Sequence, residues 1–138
     1  MTTENKLVVE REWPRTIFAI TVFAEDLART KQFYADVFGL PVAFEDENSA
    51  VFDFGNIIVN LLDAREGPEL IGPAQVADPV VGARMQLTIP VDDVDVVCAR
   101  LGEQGVSLLN GPMDRPWGIR TAAFRDPAGT IWEISAPR

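Results

Sequence analysis

The same order of structural signals runs twice along this chain, and that repetition is what most restricts its fold. Residues 16–24, Thr-Ile-Phe-Ala-Ile-Thr-Val-Phe-Ala, are β-branched and aromatic and read as a strand. Asp26 follows as a helix N-cap. Leu27, Phe33, Tyr34, Val37 and Phe38 recur at helical spacing until Gly39, with Pro41 beyond it, stops the helix. Strand-like runs near 41–45, 50–54 and 57–62 come next, separated by the turn formers Asn48-Ser49 and Gly55-Asn56. The second half keeps the order. A strand over 84–91 leads to a helix capped by Asp93, with Val94, Val97, Cys98 and Leu101 on one face and a stop at Gly105. Strands near 106–109, 118–125 and 130–135 follow. Thr21-Val22 through Glu25-Asp26-Leu27 aligns with Thr88-Ile89 through Asp92-Asp93-Val94. A repeated β-α-β-β-β order with aligned caps points to a duplicated unit. The expectation is an α+β fold of two tandem βαβββ modules in one domain, the first about 16–63 and the second 84–136. Residues 64–83, rich in Pro, Gly and Ala, read as a linker or a loop over the surface.

Composition narrows the function classes. A chain of 138 residues that is 47% hydrophobic can bury one good core. No segment reaches the ~20 apolar residues of a membrane helix. Met1-Thr2-Thr3-Glu4-Asn5-Lys6 lacks a signal-peptide pattern, so a cytoplasmic protein is expected. The single cysteine, Cys98, lies in an apolar helical stripe and reads as an inert core thiol. A net charge of -9 argues against nucleic acid, whose binding rests on cations neutralising phosphates. Solubility is the simple meaning of that charge, and a cleft attractive to cationic small molecules is the sharper one. The acid run Glu45-Asp46-Glu47 falls at a hairpin turn, where water solvates it.

The closing hairpin carries the chemistry. In Asp126-Pro127-Ala128-Gly129, Asp accepts a backbone N–H, Pro fixes φ and Gly takes the left-handed conformation. The returning strand Thr130-Ile131-Trp132-Glu133-Ile134 plants one carboxylate among apolar neighbours, in a chain with no histidine. Asp26-Leu27 with Phe33-Tyr34, then Val91-Asp92-Asp93-Val94-Asp95, then Asp126 to Ile134 together resemble the vicinal oxygen chelate superfamily. That superfamily contains glyoxalases, extradiol dioxygenases, fosfomycin-resistance enzymes and bleomycin-resistance proteins. The resemblance spans residues 16–136. It implies two βαβββ modules whose sheets curl into an open barrel around a cleft, often in a homodimer.

In the metal enzymes of that family the ligands come from four cleft-facing strand positions. The resemblance places these at Ala19, Asn60, Gln86 and Glu133, with Asn60 open to a one-residue slip because Ile57-Ile58-Val59 shows no alternation. Alanine cannot ligate, Asn and Gln offer neutral oxygens, and an iron facial triad needs two imidazoles. No metal or other cofactor is favoured. If a divalent metal binds, Gln86, Glu133 and Asn60 are its ligands. Glu133 reads either as a cleft group that anchors a ligand or as the partner of Arg120 or Arg125. Trp117, in Arg115-Pro116-Trp117-Gly118, resembles the Pro-Trp-Gly that borders the ligand cleft in bleomycin-resistance-like members. It is placed either to stack on a planar or cationic ligand or to pack a barrel mouth or dimer seam. Arg120 reads as an anchor for an anionic group or as a solvated residue. Phe44, Phe52, Phe54 and Phe124 alternate along strands and are mostly core, with Phe52 a candidate for the cleft lining. Trp132 points away from Glu133.

The function these readings favour is metal-independent binding of a cationic or aromatic small molecule, resembling sequestering proteins, in a homodimer. The alternative is a glyoxalase-like lyase or isomerase whose metal is held by Gln86 and Glu133. A scaffold with a vestigial cleft is the third reading.

Overall fold

Two aspartates start the two long helices. The Asp26 carboxylate accepts the Arg29 amide at 3.1 Å, and Asp93 accepts the Val96 amide at 3.1 Å. Each satisfies a first-turn N–H that has no partner within its helix. The computed structural model describes residues 13–138, and Met1–Lys6 lies outside them. The first module comprises β1 (Ala19–Ala24), α1 (Leu27–Val37), β2 (Val42–Glu45), β3 (Ser49–Asp53) and β4 (Ile58–Asp63). The second comprises β5 (Gln86–Pro90), α3 (Val94–Glu103), β6 (Leu108–Asp114), β7 (Ile119–Arg125) and β8 (Ile131–Pro137). The fold is α+β, with the expected tandem βαβββ modules. The sheets are ordered β1-β4-β3-β2 and β5-β8-β7-β6. In each, the first strand runs parallel to the last, and the remaining pairs are antiparallel. Among the described residues no strand of one sheet pairs with the other, so both sheets stay open. No helix among them is long and apolar enough to cross a membrane.

The structure refines the sequence reading in two places. The 64–83 segment holds the short helix α2 (Gly67–Ile71) and single helical turns at Ala64–Glu66 and Pro79–Val81. Aspartates start both turns, Asp63 accepting the Arg65 amide and Asp78 the Val80 amide at 3.0 Å each. Hydrogen bonds from Arg65 hold the Asp63 carboxyl at about 2. Strand β6 spans Leu108–Asp114 where the sequence places a strand near 106–109, and runs on through Gly111-Pro112. It is an edge strand, and its register with β7 breaks between Asn110 and Met113, where a bulge tolerates proline. Gly111 there has φ 83°, and a Cβ would meet the Thr121 carbonyl oxygen at 2.5 Å. Only glycine fits.

Strand parity sets the core. Val59 and Leu61 on β4, Ala122 and Phe124 on β7, and Trp132, Ile134 and Ala136 on β8 join one cluster that spans both modules. Tyr34 of α1 is fully buried within it, its ring 5.5 Å from Phe52 and 5.9 Å from Trp132. Its hydroxyl donates to Asp126 Oδ2 at 2.7 Å. Asp126 is itself buried and also accepts the Ala128 and Thr130 amides at 2.9 Å and Trp132 Nε1 at 3.3 Å. One carboxylate thus closes the β7–β8 turn and fastens it to the helix of the other module.

Burial, then the Asp126 charge and hydrogen bond, push the Tyr34 hydroxyl well above its ordinary pKa. A raised folded-state value means that its stabilisation is complete below about pH 10 and is lost as pH rises beyond it. Tyr34 is the sole tyrosine. Absorbance at 295 nm should therefore show no tyrosinate in the folded protein near pH 10.5, with the signal appearing only on unfolding. Tyr34→Phe should cost about 1–3 kcal/mol in urea denaturation, because it leaves a buried acceptor short of a donor.

Candidate functional site

Alternate strand positions fall on the opposite, helix-free face of each sheet, and on β7 two of them, Thr121 and Ala123, are buried as well. On the second sheet, register sets Thr88 of β5, Glu133 of β8, Ala123 of β7 and Asn110 of β6 in one row. On the first sheet, Thr21 of β1, Asn60 of β4, Val51 of β3 and Phe44 of β2 form the equivalent row. The duplication therefore reaches the site. Asn60 corresponds to Glu133, and its pairing with Thr21 and Val51 fixes the register that its own apolar run left open. Ala19 and Gln86 lie two residues before Thr21 and Thr88, at the strand starts, opposite Ile58 and Ile131.

Glu133 accepts a hydrogen bond from Thr88 Oγ1 at 3.0 Å. Among the described residues it pairs with no arginine. Thr88 escaped the sequence reading because threonine in a strand looks like a simple β-former. Its signal was the alignment with Thr21.

Arg120 alternates onto the helix-covered side with Ala122 and Phe124. It makes two 2.9 Å contacts to Asp95 of α3 and one of 3.1 Å to Asp114. These bonds raise the Arg120 pKa and lower that of Asp95. Arg120 thus braces a helix against its sheet and does not share the face of Glu133. Phe52 is fully buried against Tyr34 and does not line the open face either. Phe44 is the strand phenylalanine left exposed, at 59%.

Trp117 occupies the β6–β7 turn. The Gly118 amide donates to the Arg115 carbonyl at 3.1 Å, and the Arg115 amide to the Ile119 carbonyl at 2.7 Å. The ring is 67% exposed, with the Arg115 guanidinium carbon 5.9 Å from its centroid. Arg115 Nε donates to Thr121 Oγ1 at 2.9 Å. Thr121 pairs with Ser135 and Met113, one row from Glu133 on the same face. The turn therefore delivers a tryptophan and a cation to the Glu133 face. In sequence, Arg115 was only the flank of Pro-Trp-Gly.

The four family positions supply a methyl group, two amides and one carboxylate. Among the described residues no three His, Cys, Asp or Glu side chains converge. This donor set does not fit zinc or iron, and it offers a hard cation a single carboxylate. A separate groove of 510 Å³ lies on the helix side, lined by Phe33, Val37, Val106 and Leu108, with Arg29 and Arg125 also on its wall. No residue of either row lines it, and its polar wall comes from Arg29, Gln32, Asp36, Gln104 and Arg125.

The "Glyoxalase/Bleomycin resistance protein/Dioxygenase superfamily" model matches residues 16–134. The chain is 33% identical over 122 residues to the uncharacterized protein YraH of Bacillus subtilis (strain 168), covering 86% of this chain and 95% of YraH. Three solved structures are similar. A glyoxalase/bleomycin resistance protein/dioxygenase from Nocardioides superposes with TM-score 0.83 at 26% identity, over 99% of this chain and 93% of that one. The lactoylglutathione lyase of Agrobacterium tumefaciens gives 0.69 at 26%, over 90% and 95%. TnmS3, an antibiotic binding protein from Streptomyces sp. CB03234, gives 0.70 at 25%, over 93% and 100%.

Because Arg120 is committed to Asp95 and Asp114, Arg120→Gln should lower the melting temperature by a few degrees at most. Ligand affinity measured by calorimetry should stay within about twofold of the parent, since exposed ion pairs contribute little.

Proposed function

The chain belongs to the glyoxalase/bleomycin resistance protein/dioxygenase superfamily, and within it we propose metal-independent binding of a small organic molecule on the open sheet faces. The observation that carries this reading is the Thr88–Glu133–Ala123–Asn110 row, with the Arg115–Trp117 turn beside it. It offers hydrogen-bonding groups, a charge of each sign and an exposed aromatic ring. Such a mixture orients a ligand but lacks the donors that hold a catalytic metal. A lone carboxylate acting as a base would need a second group to stabilise the charge left on the substrate, and the row itself holds no second charge. Likeness to an antibiotic binding protein supports sequestration as the outcome.

A second copy of the chain completes the cleft in this reading. Phe44, Met85, Met113 and Trp117 are exposed large apolar side chains, and covering them would remove apolar area from water. Light scattering should give twice the chain mass, with Phe44→Glu shifting the population toward monomer.

The lyase reading makes opposite predictions for metal. Protein purified without chelator should carry no stoichiometric ion, and Ni²⁺, Zn²⁺ or Mn²⁺ should not raise its melting temperature. One tightly held ion per chain, lost in both Glu133→Ala and Gln86→Ala, would sink the metal-free reading. In a screen of aromatic ligands followed by tryptophan fluorescence, quenching should largely vanish in Trp117→Phe.

A further inference from the structure

Arg115 and Glu133 flank Ala123 on one open face. Arg115 Nη2 reaches 3.5 Å from Asn110 Oδ1, on the far side of Ala123 from Glu133. Neighbouring strands are about 4.8 Å apart, so the Asn110 and Glu133 positions are separated by two spacings, roughly 10 Å. That gap is too wide for a direct ion pair, and among the described residues neither group forms one. Ala123, 6% exposed, is the residue that stands between them in the row.

Arg115 is also unlike the other cations. Among the described residues Arg15, Arg29, Arg84, Arg100 and Arg125 also form no ion pair, but all are exposed, whereas Arg115 is half-buried and fixed by Thr121. A long side chain held in one geometry gives up rotamer freedom, and among the described residues no acid compensates it. Its Nη1 group has no partner among the described residues, and Glu133 Oε2 has none.

From this geometry we infer the ligand class: a zwitterionic aromatic molecule, with a carboxylate that accepts from Arg115 and an ammonium that donates to Glu133. Its ring crosses Ala123 beside Trp117. The inference rests on the metal-free binding reading and sharpens it. A purely cationic ligand, which net charge alone would favour, meets Arg115. A purely anionic one meets Glu133.

The test is calorimetry on the full chain in EDTA with three probes: 4-(aminomethyl)benzoate, benzylamine and benzoate. The zwitterion should bind about tenfold or more tightly than either singly charged probe, as charge-assisted hydrogen bonds imply. Arg115→Gln should abolish its advantage over benzylamine, and Glu133→Gln its advantage over benzoate. The reciprocal pattern separates recognition from misfolding, which would weaken all three probes together. Equal affinity for the three probes, still dependent on Trp117, would overturn the zwitterion class and leave the binding reading standing. An equal loss in Arg125→Gln, on the wall of the helix-side groove, would overturn the assignment to Arg115. Absence of binding by every probe would also overturn the inference, while the separate fluorescence screen and metal assay decide the binding reading.

Discussion

Asp126 accepts hydrogen bonds from Tyr34, Trp132, Ala128 and Thr130, and each answers a different demand. The two amides belong to the tight turn that reverses β7 into β8. The indole belongs to the covered face of the second sheet. The phenol comes from the helix of the first module, 92 residues earlier. A buried carboxylate is costly unless its lone pairs are engaged, so these partners must arrive together. That requirement couples the modules and turns two amphipathic units into one core. With the helix-covered faces committed there, the open faces are free to carry chemistry.

The two open faces have diverged from a common pattern. Thr21 and Thr88 are the same residue at equivalent points, whereas Asn60 faces Glu133 across the duplication, Val51 answers Ala123, and Phe44 answers Asn110. The first sheet thus offers mostly apolar surface, and the second holds both charges. Small changes at fixed strand positions altered the chemistry while the buried positions kept the architecture. Function follows such grafted positions more than the fold that bears them.

Much of the architecture could be read locally. Asp26 and Asp93 cap helices through bonds to their own next turn, and Asp126 shapes its own hairpin, so these features need no knowledge of distant contacts. Parity was harder. Ile57-Ile58-Val59 is apolar on both faces, and only pairing with β1 and β3 tells which way Asn60 points. Arg120 and Phe52 fell on the covered side for the same reason, since the face of a strand is set by its neighbours' register. Arg115 carried no signal of its own and Thr88 only its alignment with Thr21, because their meaning lies in side chains that meet across strands. The Tyr34–Asp126 bond belongs to this class too.

The most direct measurement is residue-resolved. Metal-free, ¹⁵N-labelled protein titrated with 4-(aminomethyl)benzoate reports, through amide chemical shifts, where an organic ligand sits. The largest movements are expected at Thr88, Ala123 and Glu133 and in the 115–118 turn. Movements confined to the helix-side groove around Phe33, Val106 and Leu108, with Thr88, Ala123 and Glu133 unmoved, would contradict the assignment of binding to the open face.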